Sequence, residues 1–523
     1  MVAPALASVT DGTHGALEGI CPGGHGDIRE LSRRLSNGSE IYFPGSARFD
    51  SITERWSNLE LPNITVAVVP MNEQDVATTV KFANEHDIPL LAYNGVHGAT
   101  TTLGKMTRGI SISLEKLKAI VISPDGRTVT AGGGTNSKAL TDHLWRRGKQ
   151  TVTGTCECVS YLGPALGGGH GWLQGRHGLM ADQFVSLRVV LADGSVETVD
   201  EGHELMWAMK GAGHNFGIVT SVTSKIYDVR HRDWAIETLI FTGDKVREVY
   251  DAANALIHYA ADSNGQEQQL VDVIHWSYWL MNPDVDPVNP VILFFLIQEG
   301  AASVDPAYSK PFHDIGPAVV TPETGDYLQL GRWTGIDAAA PPCQKDGLVN
   351  PRFPIYLERF DVDALVEAYN IYAEGITSGG VDGNPFSQSL FMFEAYSHQG
   401  VRRVPRASTA FAYRDDNILA APLITYTPAG EVLDQKAAQL GNRLREVLHA
   451  ATGRKVYHSY VNYAYGNEGN GNLYGARGDD EEGGNRGEGE GWRLCRLREL
   501  KRRYDPRGRF SFYNPIVPHA GEH

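Results

Sequence analysis

The chain has 523 residues, and 62 Asp+Glu against 47 Lys+Arg give a net charge of −15. That length predicts two or three domains around a large core, and the acidic balance argues against nucleic acid or an anionic membrane as the main partner. No run of about 18 apolar residues predicts a membrane span, and five cysteines (21, 156, 158, 343 and 495) are too few for a disulfide scaffold.

Residues 1–20 lack the basic start and long apolar stretch of a complete secretory signal. Ala5-Leu6-Ala7 resembles the small-residue end of one, and Asn37-Gly38-Ser39 and Asn63-Ile64-Thr65 are glycosylation sequons, so the location stays open. From about 60 to 230, strands and helices alternate. Residues 66–69 read as a short strand, and Val76, Val80 and Ala83 recur at the spacing of an amphipathic helix over 73–85. A strand at 88–93 runs into Asn94-Gly95-Val96-His97-Gly98. Ile110, Ile112 and Leu114 alternate as in a half-buried strand. Asp125-Gly126 and Asp193-Gly194 mark two hairpins, and an alternating strand covers 218–226.

Past residue 230 the strands lengthen (274–280, 291–297), and helices are expected over 363–373 and 432–449. This predicts a second domain of α+β type. Residues 466–491 are rich in Gly, Asn, Asp and Glu and read as a solvated loop. A basic helix over 492–504 leads into the closing segment.

Glycine is in excess: 58 of 523 is about 11%, against a usual value of about 7%. Three concentrations, at 95–98, 154–178 and 211–217, have the composition that lets a backbone approach a phosphorylated dinucleotide. Taken singly, each also reads as turns in a β-rich domain. Gly211-x-Gly213-x-x-x-Gly217 misses the Rossmann spacing by one residue and leads into a strand where a helix is required. Gly167-Gly168-Gly169-His170-Gly171 follows no clear strand. His97, His170, His177 and His214 each lie beside a glycine, yet none pairs at metal-motif spacing, so no metal is expected. G-x-S-x-G is absent, which argues against a serine hydrolase.

The order of several segments resembles the FAD-linked oxidases of the vanillyl-alcohol-oxidase (PCMH) superfamily, in its berberine-bridge-enzyme-like branch. The carriers are Val69-Pro70 with the helix near Asp75, the His97 loop, the Cys156 segment and Gly178-Leu179-x-Ala181-Asp182. Trp207, Asn215-Phe216-Gly217-Ile218-Val219, Tyr460-x-Asn462-Tyr463 and Tyr504-Asp505-Pro506 complete the set. The resemblance implies an α+β protein: a PCMH-type FAD-binding fold of two α/β subdomains, plus an α+β substrate domain with a large antiparallel sheet. FAD binding would fall to residues 1–230 and a returning segment, 453–523, with the substrate domain at 231–452.

The resemblance further implies covalent FAD, bonded at its 8α carbon by His97. The family's loop is R-x-G-G-H; here Tyr93-Asn94-Gly95-Val96-His97 lacks the arginine and the second glycine. Cys156 stands eleven positions before Gly167, the family's spacing for a second bond at flavin C6, whereas Cys158 does not fit and reads as a packed thiol. Val159 falls where the family sets oxygen access, and its small side chain resembles the oxidases. Pro164 replaces a histidine of berberine bridge enzyme, which argues against ring-closing chemistry. Further FAD contacts are implied for Asn94, Gly95, Val96, Gly98, Gly154, Gly167, Gly168, Gly169, Gly171, Leu179, Asp182, Asn215, Gly217, Ile218, Val219, Tyr513 and Asn514.

For catalysis the resemblance makes Tyr463 the base, with Tyr460 lining the pocket. Glu394 is the one acid in the apolar run 390–396 and shares a strand face with Met392 and Tyr396. A lone acid inside an apolar strand is costly unless it is paired or used, and the resemblance implies a glutamate of this sheet as the alternative base, so either Glu394 or Tyr463 takes the proton. Trp276, Tyr278 and Trp279 would wall a substrate ring or pack in the core. The expected activity is oxidation of a C–OH group of a sugar or a phenolic or secondary-metabolite alcohol, with O2 reduced to H2O2. The alternatives are a redox-neutral isomerase or oxidative cyclase of secondary metabolism, and a non-catalytic flavin-binding protein. Expected partners are a small-molecule substrate and O2, with a monomer favoured.

Overall fold

Ile64–Val69, Gly109–Ser113 and Leu90–Tyr93 pair in parallel, and Glu40–Tyr42 adds an antiparallel edge to make a four-stranded sheet. The computed structural model describes residues 28–258, 260–261, 267–476 and 491–517. Gly109–Ser113 is buried at every position, so the half-exposed alternation expected there does not hold. As an interior strand of a largely parallel sheet it is covered on both faces by the layers packed against that sheet. Leu90–Tyr93 starts two residues later than expected, after Pro89, which has no N–H for a ladder. The helix Glu73–Glu85 has the expected bounds, fixed at its start by a reciprocal capping box between Asn72 and Asp75. Its Val76, Val80 and Ala83 pack with Val66, Ile110 and Ile112.

The second sheet has five antiparallel strands in the order Ile120–Ile122, Thr128–Gly132, Ile218–Lys225, Phe184–Val190, Val196–Asp200. Both expected hairpins are present. Gly126 (φ 66°) and Gly194 (φ 79°) take the left-handed conformation that their turns need. Glu73 accepts from Arg188 and from the Thr220 hydroxyl, which ties the first helix to this sheet.

The third sheet is antiparallel and seven-stranded: Val319–Gly325, Trp234–Phe241, Asp286–Glu299, Val273–Asn282, Leu390–Ala395, Ile418–Leu423, Ile355–Leu357. Period-two alternation gives it two buried faces. Trp279, Phe391 and Phe393 share one core with residues of the helices Val246–Ile257, Val362–Thr377 and Glu431–Thr452. Trp276, Tyr278, Met392 and Tyr396 belong to the core shared with the second sheet. Trp276 and Trp279 therefore point to opposite sides, and Trp276 packs on Trp172 with ring centroids 4.4 Å apart. Core packing accounts for the aromatic run. Glu394 lies opposite Trp276 in register, on the face shared with Met392 and Tyr396, as the alternation predicts.

The glycine-rich 466–491 stretch is not all loop. Gly469–Tyr474 is a short helix with Leu473 and Tyr474 buried, and the Tyr474 hydroxyl donates to Asn514 O. Residues 477–490 and the N-terminal 1–20, with Ala5-Leu6-Ala7, lie outside the described residues. The helix Trp492–Tyr504 then returns the chain to the first two sheets. Lys501, fully buried, donates to Asn215 O, Phe510 O and the Asp505 carboxylate, so its ammonium is satisfied without water. This anchor carries residues 510–513 to the wall of the central cavity. No described helix is long and apolar enough to cross a membrane.

Candidate active site

One cavity is bounded by the first two sheets, the returning tail and the inner face of the large sheet. Of the implied site residues, it is lined by Asn94, Gly95, Val96, His97, Gly98, Gly154, Cys156, Val159, Gly217, Ile218, Val219, Glu394, Tyr460, Tyr463 and Tyr513.

The 94–98 loop is fixed from several directions. The Asn94 amide donates to Thr135 O, Trp56 N–H to Val96 O, and the Arg55 guanidinium to Gly98 O at 2.9 Å. Gly98 has no room for a side chain, since a Cβ there would stand 2.6 Å from the Tyr513 ring. Val96 occupies the position of the family's second glycine and holds φ at 53°, a strained conformation for a β-branched residue. His97 stacks on Trp56 at 5.2 Å. Burial, then the charges of Arg352, Lys345 and Arg55, lower its pKa to about 3. The imidazole is therefore neutral at pH 7, the form a nucleophile requires.

Cys156 is a free thiol, and burial pushes its pKa up to about 11. Cys158 is not a packed thiol. It forms a disulfide with Cys343 across 185 residues, with Cα atoms 5.7 Å apart. The bridge leaves the Cys156 sulfur 3.6 Å from Cys158 Sγ and 3.5 Å from Cys343 Sγ. His97 Nε2 lies 3.4 Å from Cys158 Sγ.

Across the cavity, Glu394 accepts from two phenols, Tyr463 at 2.9 Å on Oε1 and Tyr396 at 3.0 Å on Oε2. Burial raises its pKa to about 7, opposed by these two hydrogen bonds and by the charge of Arg352. Burial and the Glu394 charge push Tyr463 well above the usual phenol range. Glu394, not Tyr463, is the group that changes protonation near neutrality. Tyr460 is also pushed up by burial, and its hydroxyl accepts from the Asn462 amide at 2.7 Å.

Eight implied FAD contacts do not line the cavity: Gly167, Gly168, Gly169, Gly171, Leu179, Asp182, Asn215 and Asn514. The glycines are there for close packing. A Cβ would collide with Asn462 and Val461 at Gly167, Phe411 at Gly168, Met180 at Gly169 and Thr153 O at Gly171. Asp182 accepts from Leu179 N–H and takes a buried two-pronged ion pair from Arg414. Asn215 and Asn514 hold the tail: Asn215 Oδ1 accepts from Ile516 N–H, and the Asn514 amide donates to Val461 O.

Four further lining residues were given no part in the site by the sequence reading. Arg55 is buried with a carbonyl acceptor. Tyr396 orients Glu394. His214 donates through Nε2 to Gly163 O, which leaves Nδ1 buried with no protein partner. Arg352 lies over the Tyr463 and Trp56 rings at 4.3 and 4.6 Å, with Nε likewise unpartnered. His214 carried a local signal, its place in a glycine cluster, and Tyr396 another, the strand face it shares with Glu394. The rest are scattered in sequence.

Apolar strand ends (Leu90, Leu91, Ile218), the cations of buried Arg55 and half-buried Arg352, and orphaned polar atoms in one cavity fit a large ligand with planar and anionic parts. Set between the three large sheets, this cavity marks a cofactor-binding protein. A model described as an FAD binding domain matches residues 64–200. The FAD-linked oxidoreductase chyH of Penicillium rubens is 51% identical over 491 residues, covering 94% of both chains. The FAD-linked oxidoreductase chry5 of Gibberella zeae is 48% identical, covering 94% of this chain and 95% of that protein. This chain belongs to the FAD-linked oxidoreductases. Its fold is that of Physcomitrella patens BBE-like 1 (TM-score 0.73, 19% identity, 92% of this chain and 98% of that one). The xylooligosaccharide oxidase of Myceliophthora thermophila, solved with xylobiose, is similar (TM-score 0.74, 18% identity, 92% and 97%).

Proposed function

We propose that this oxidoreductase is a covalent FAD-dependent oxidase that removes a hydride from a C–OH carbon to flavin N5, with O2 reduced to H2O2. The observation that carries the reading is Glu394, a buried carboxyl with a pKa of about 7, set in the cavity between two phenol donors. Loss of hydride from an alcohol carbon is productive when the hydroxyl proton leaves with it, and a base matched to neutral pH removes it best. Bound FAD supplies the two-electron acceptor. Glu394 takes the proton, Tyr463 and Tyr396 orient its oxygens, and Tyr460 bounds the pocket. The division of labour largely follows the chain: residues 1–230 and the returning segment 453–523 hold the cofactor, 231–452 present the base, and Tyr460 and Tyr463 of the returning segment complete the catalytic side.

His97 is the 8α attachment, supported by its neutral imidazole in a loop fixed from three sides. Cys156 is the C6 attachment, as the one cavity-lining thiol left free by the bridge among the described residues. Val159, in the same segment, bounds the path for O2. After acid precipitation the wild type and His97→Ala should keep yellow fluorescence on the protein, while His97→Ala/Cys156→Ala should release all of it. Wild-type protein that releases its flavin ends the covalent reading.

The oxidase reading is tested by H2O2 release and O2 uptake across sugars, phenolic alcohols and secondary-metabolite alcohols. One class should give peroxide equal to oxygen consumed. Conversion without oxygen uptake would make the protein an isomerase or cyclase, and no conversion with any class would leave a flavin-binding protein.

A further inference from the structure

Arg352 is a cation in this cavity that no step above uses. The residues around it are built to hold it still. The Asn350 amide donates to Trp56 O at 2.8 Å, Asn350 N–H donates to the Ser57 hydroxyl, and the Thr425 hydroxyl donates to Asn350 Oδ1. Phe353 N–H donates to Pro422 O, and Arg352 itself bridges to Leu423 at the end of a strand of the large sheet. The guanidinium group lies against two rings, Tyr463 at 4.3 Å and Trp56 at 4.6 Å.

Stacking occupies the π faces of a guanidinium and leaves its N–H donors, which lie in the plane, for another partner. Among the described residues no carboxylate pairs with Arg352, and its buried Nε has no acceptor. Glu394 feels the Arg352 charge, but no hydrogen bond or ion pair joins the two, and its oxygens accept from Tyr463 and Tyr396 instead. Arg352 is half-buried, and a rigid donor fork held at the cavity wall with its buried Nε unpaired is costly unless a ligand completes it.

We propose that Arg352 anchors a substrate carboxylate, so that the enzyme acts on an acid rather than on a neutral sugar. This rests on the reading of the Glu394 cavity as the substrate site. A carboxylate matches the fork with two parallel charge-assisted hydrogen bonds, which a sugar hydroxyl does not. Since the Arg352 guanidinium lies against the ring of Tyr463, which bonds Glu394, the anchor lies beside the base. The substrate's acid group and its reacting C–OH are separated by little more than one aromatic ring.

The test uses flavin absorbance of the holoenzyme, titrated with benzoate and with benzamide, which has the same shape without the charge. Benzoate should bind at least about tenfold tighter than benzamide. In Arg352→Gln the preference should fall to within about twofold, and Arg352→Lys, a point charge without the fork, should keep part of it. Equal binding of the two probes, binding of neither, or a benzoate preference that survives in Arg352→Gln overturns the proposal. So does an Arg352→Gln protein that loses flavin while its flavin-containing fraction still prefers benzoate, since Arg352 would then serve the cofactor. The titration needs no turnover, so it stands apart from the peroxide screen: an enzyme that is not an oxidase can still prefer benzoate.

Discussion

The two walls of the cavity are made differently. The His97 wall is a loop, where backbone hydrogen bonds, a strained Val96 and a disulfide from a distant segment fix the geometry. The Glu394 wall is an interior strand of a seven-stranded sheet, where pairing on both sides and period-two alternation fix it. A loop can bring scattered backbone groups around a large cofactor, whereas a strand holds one side chain in one direction. The first suits binding and attachment, and the second suits a proton-transfer group that must not move.

Removing the side chain on the strand should have the largest effect. Glu394→Gln should lower turnover by about 10²–10⁴-fold while flavin attachment persists, read by peroxide rate and by protein-bound fluorescence. The parent's kcat/KM should rise with pH, with a midpoint near 7, as Glu394 ionises. The same group links stability to pH. Its pKa in the fold, about 7, lies above the ordinary 4.5, so the folded state holds the proton more tightly than the unfolded chain. That contribution is full below pH 4.5 and is lost as pH rises through 7. Glu394→Gln, which cannot ionise, should therefore match the parent in acid and exceed its stability above neutrality by up to roughly 3 kcal/mol in denaturant melts.

A smaller effect is expected from Tyr463→Phe, which removes one of the two donors. Turnover at pH 7 should fall about tenfold. Because that hydrogen bond lowers the Glu394 pKa, the midpoint of the pH profile should move up. A midpoint that stays in place with all activity gone would instead make Tyr463 the base.

The smallest chemical effect is expected behind the cofactor wall. Asp182→Asn leaves the buried Arg414 charge uncompensated and should cost about 3–5 kcal/mol of stability. Flavin content per folded molecule should not change, because Asp182 does not line the cavity. Flavin loss from otherwise folded protein would restore Asp182 as a cofactor contact.

Where sequence reading succeeded, a local rule was enough. The helix Glu73–Glu85 follows from the helical spacing of Val76, Val80 and Ala83, and both hairpins follow from Asp-Gly turns. Glu394 was visible because an acid in an apolar strand violates a pattern. Where it failed, the cause was distance along the chain. The Cys158–Cys343 bridge joins residues 185 apart, so no spacing near Cys158 distinguishes a bridge from a packed thiol. The triplet Gly167–Gly169 has the composition of a phosphate cradle, yet its bare backbone is filled by Asn462, Phe411 and Met180.

The sequence alone determined the class of element at most positions, the lone acid and the order of segments that marks the flavoprotein. These depend on neighbours a few residues apart, through turn chemistry, capping and side-chain period. The tertiary structure decided which of two candidate groups titrates near neutrality, because desolvation and the Tyr463–Glu394 hydrogen bond exist only when residues 69 apart meet. It also decided that Arg55 and Arg352 face one cavity, since long-range packing, not spacing, brings unpaired charges together.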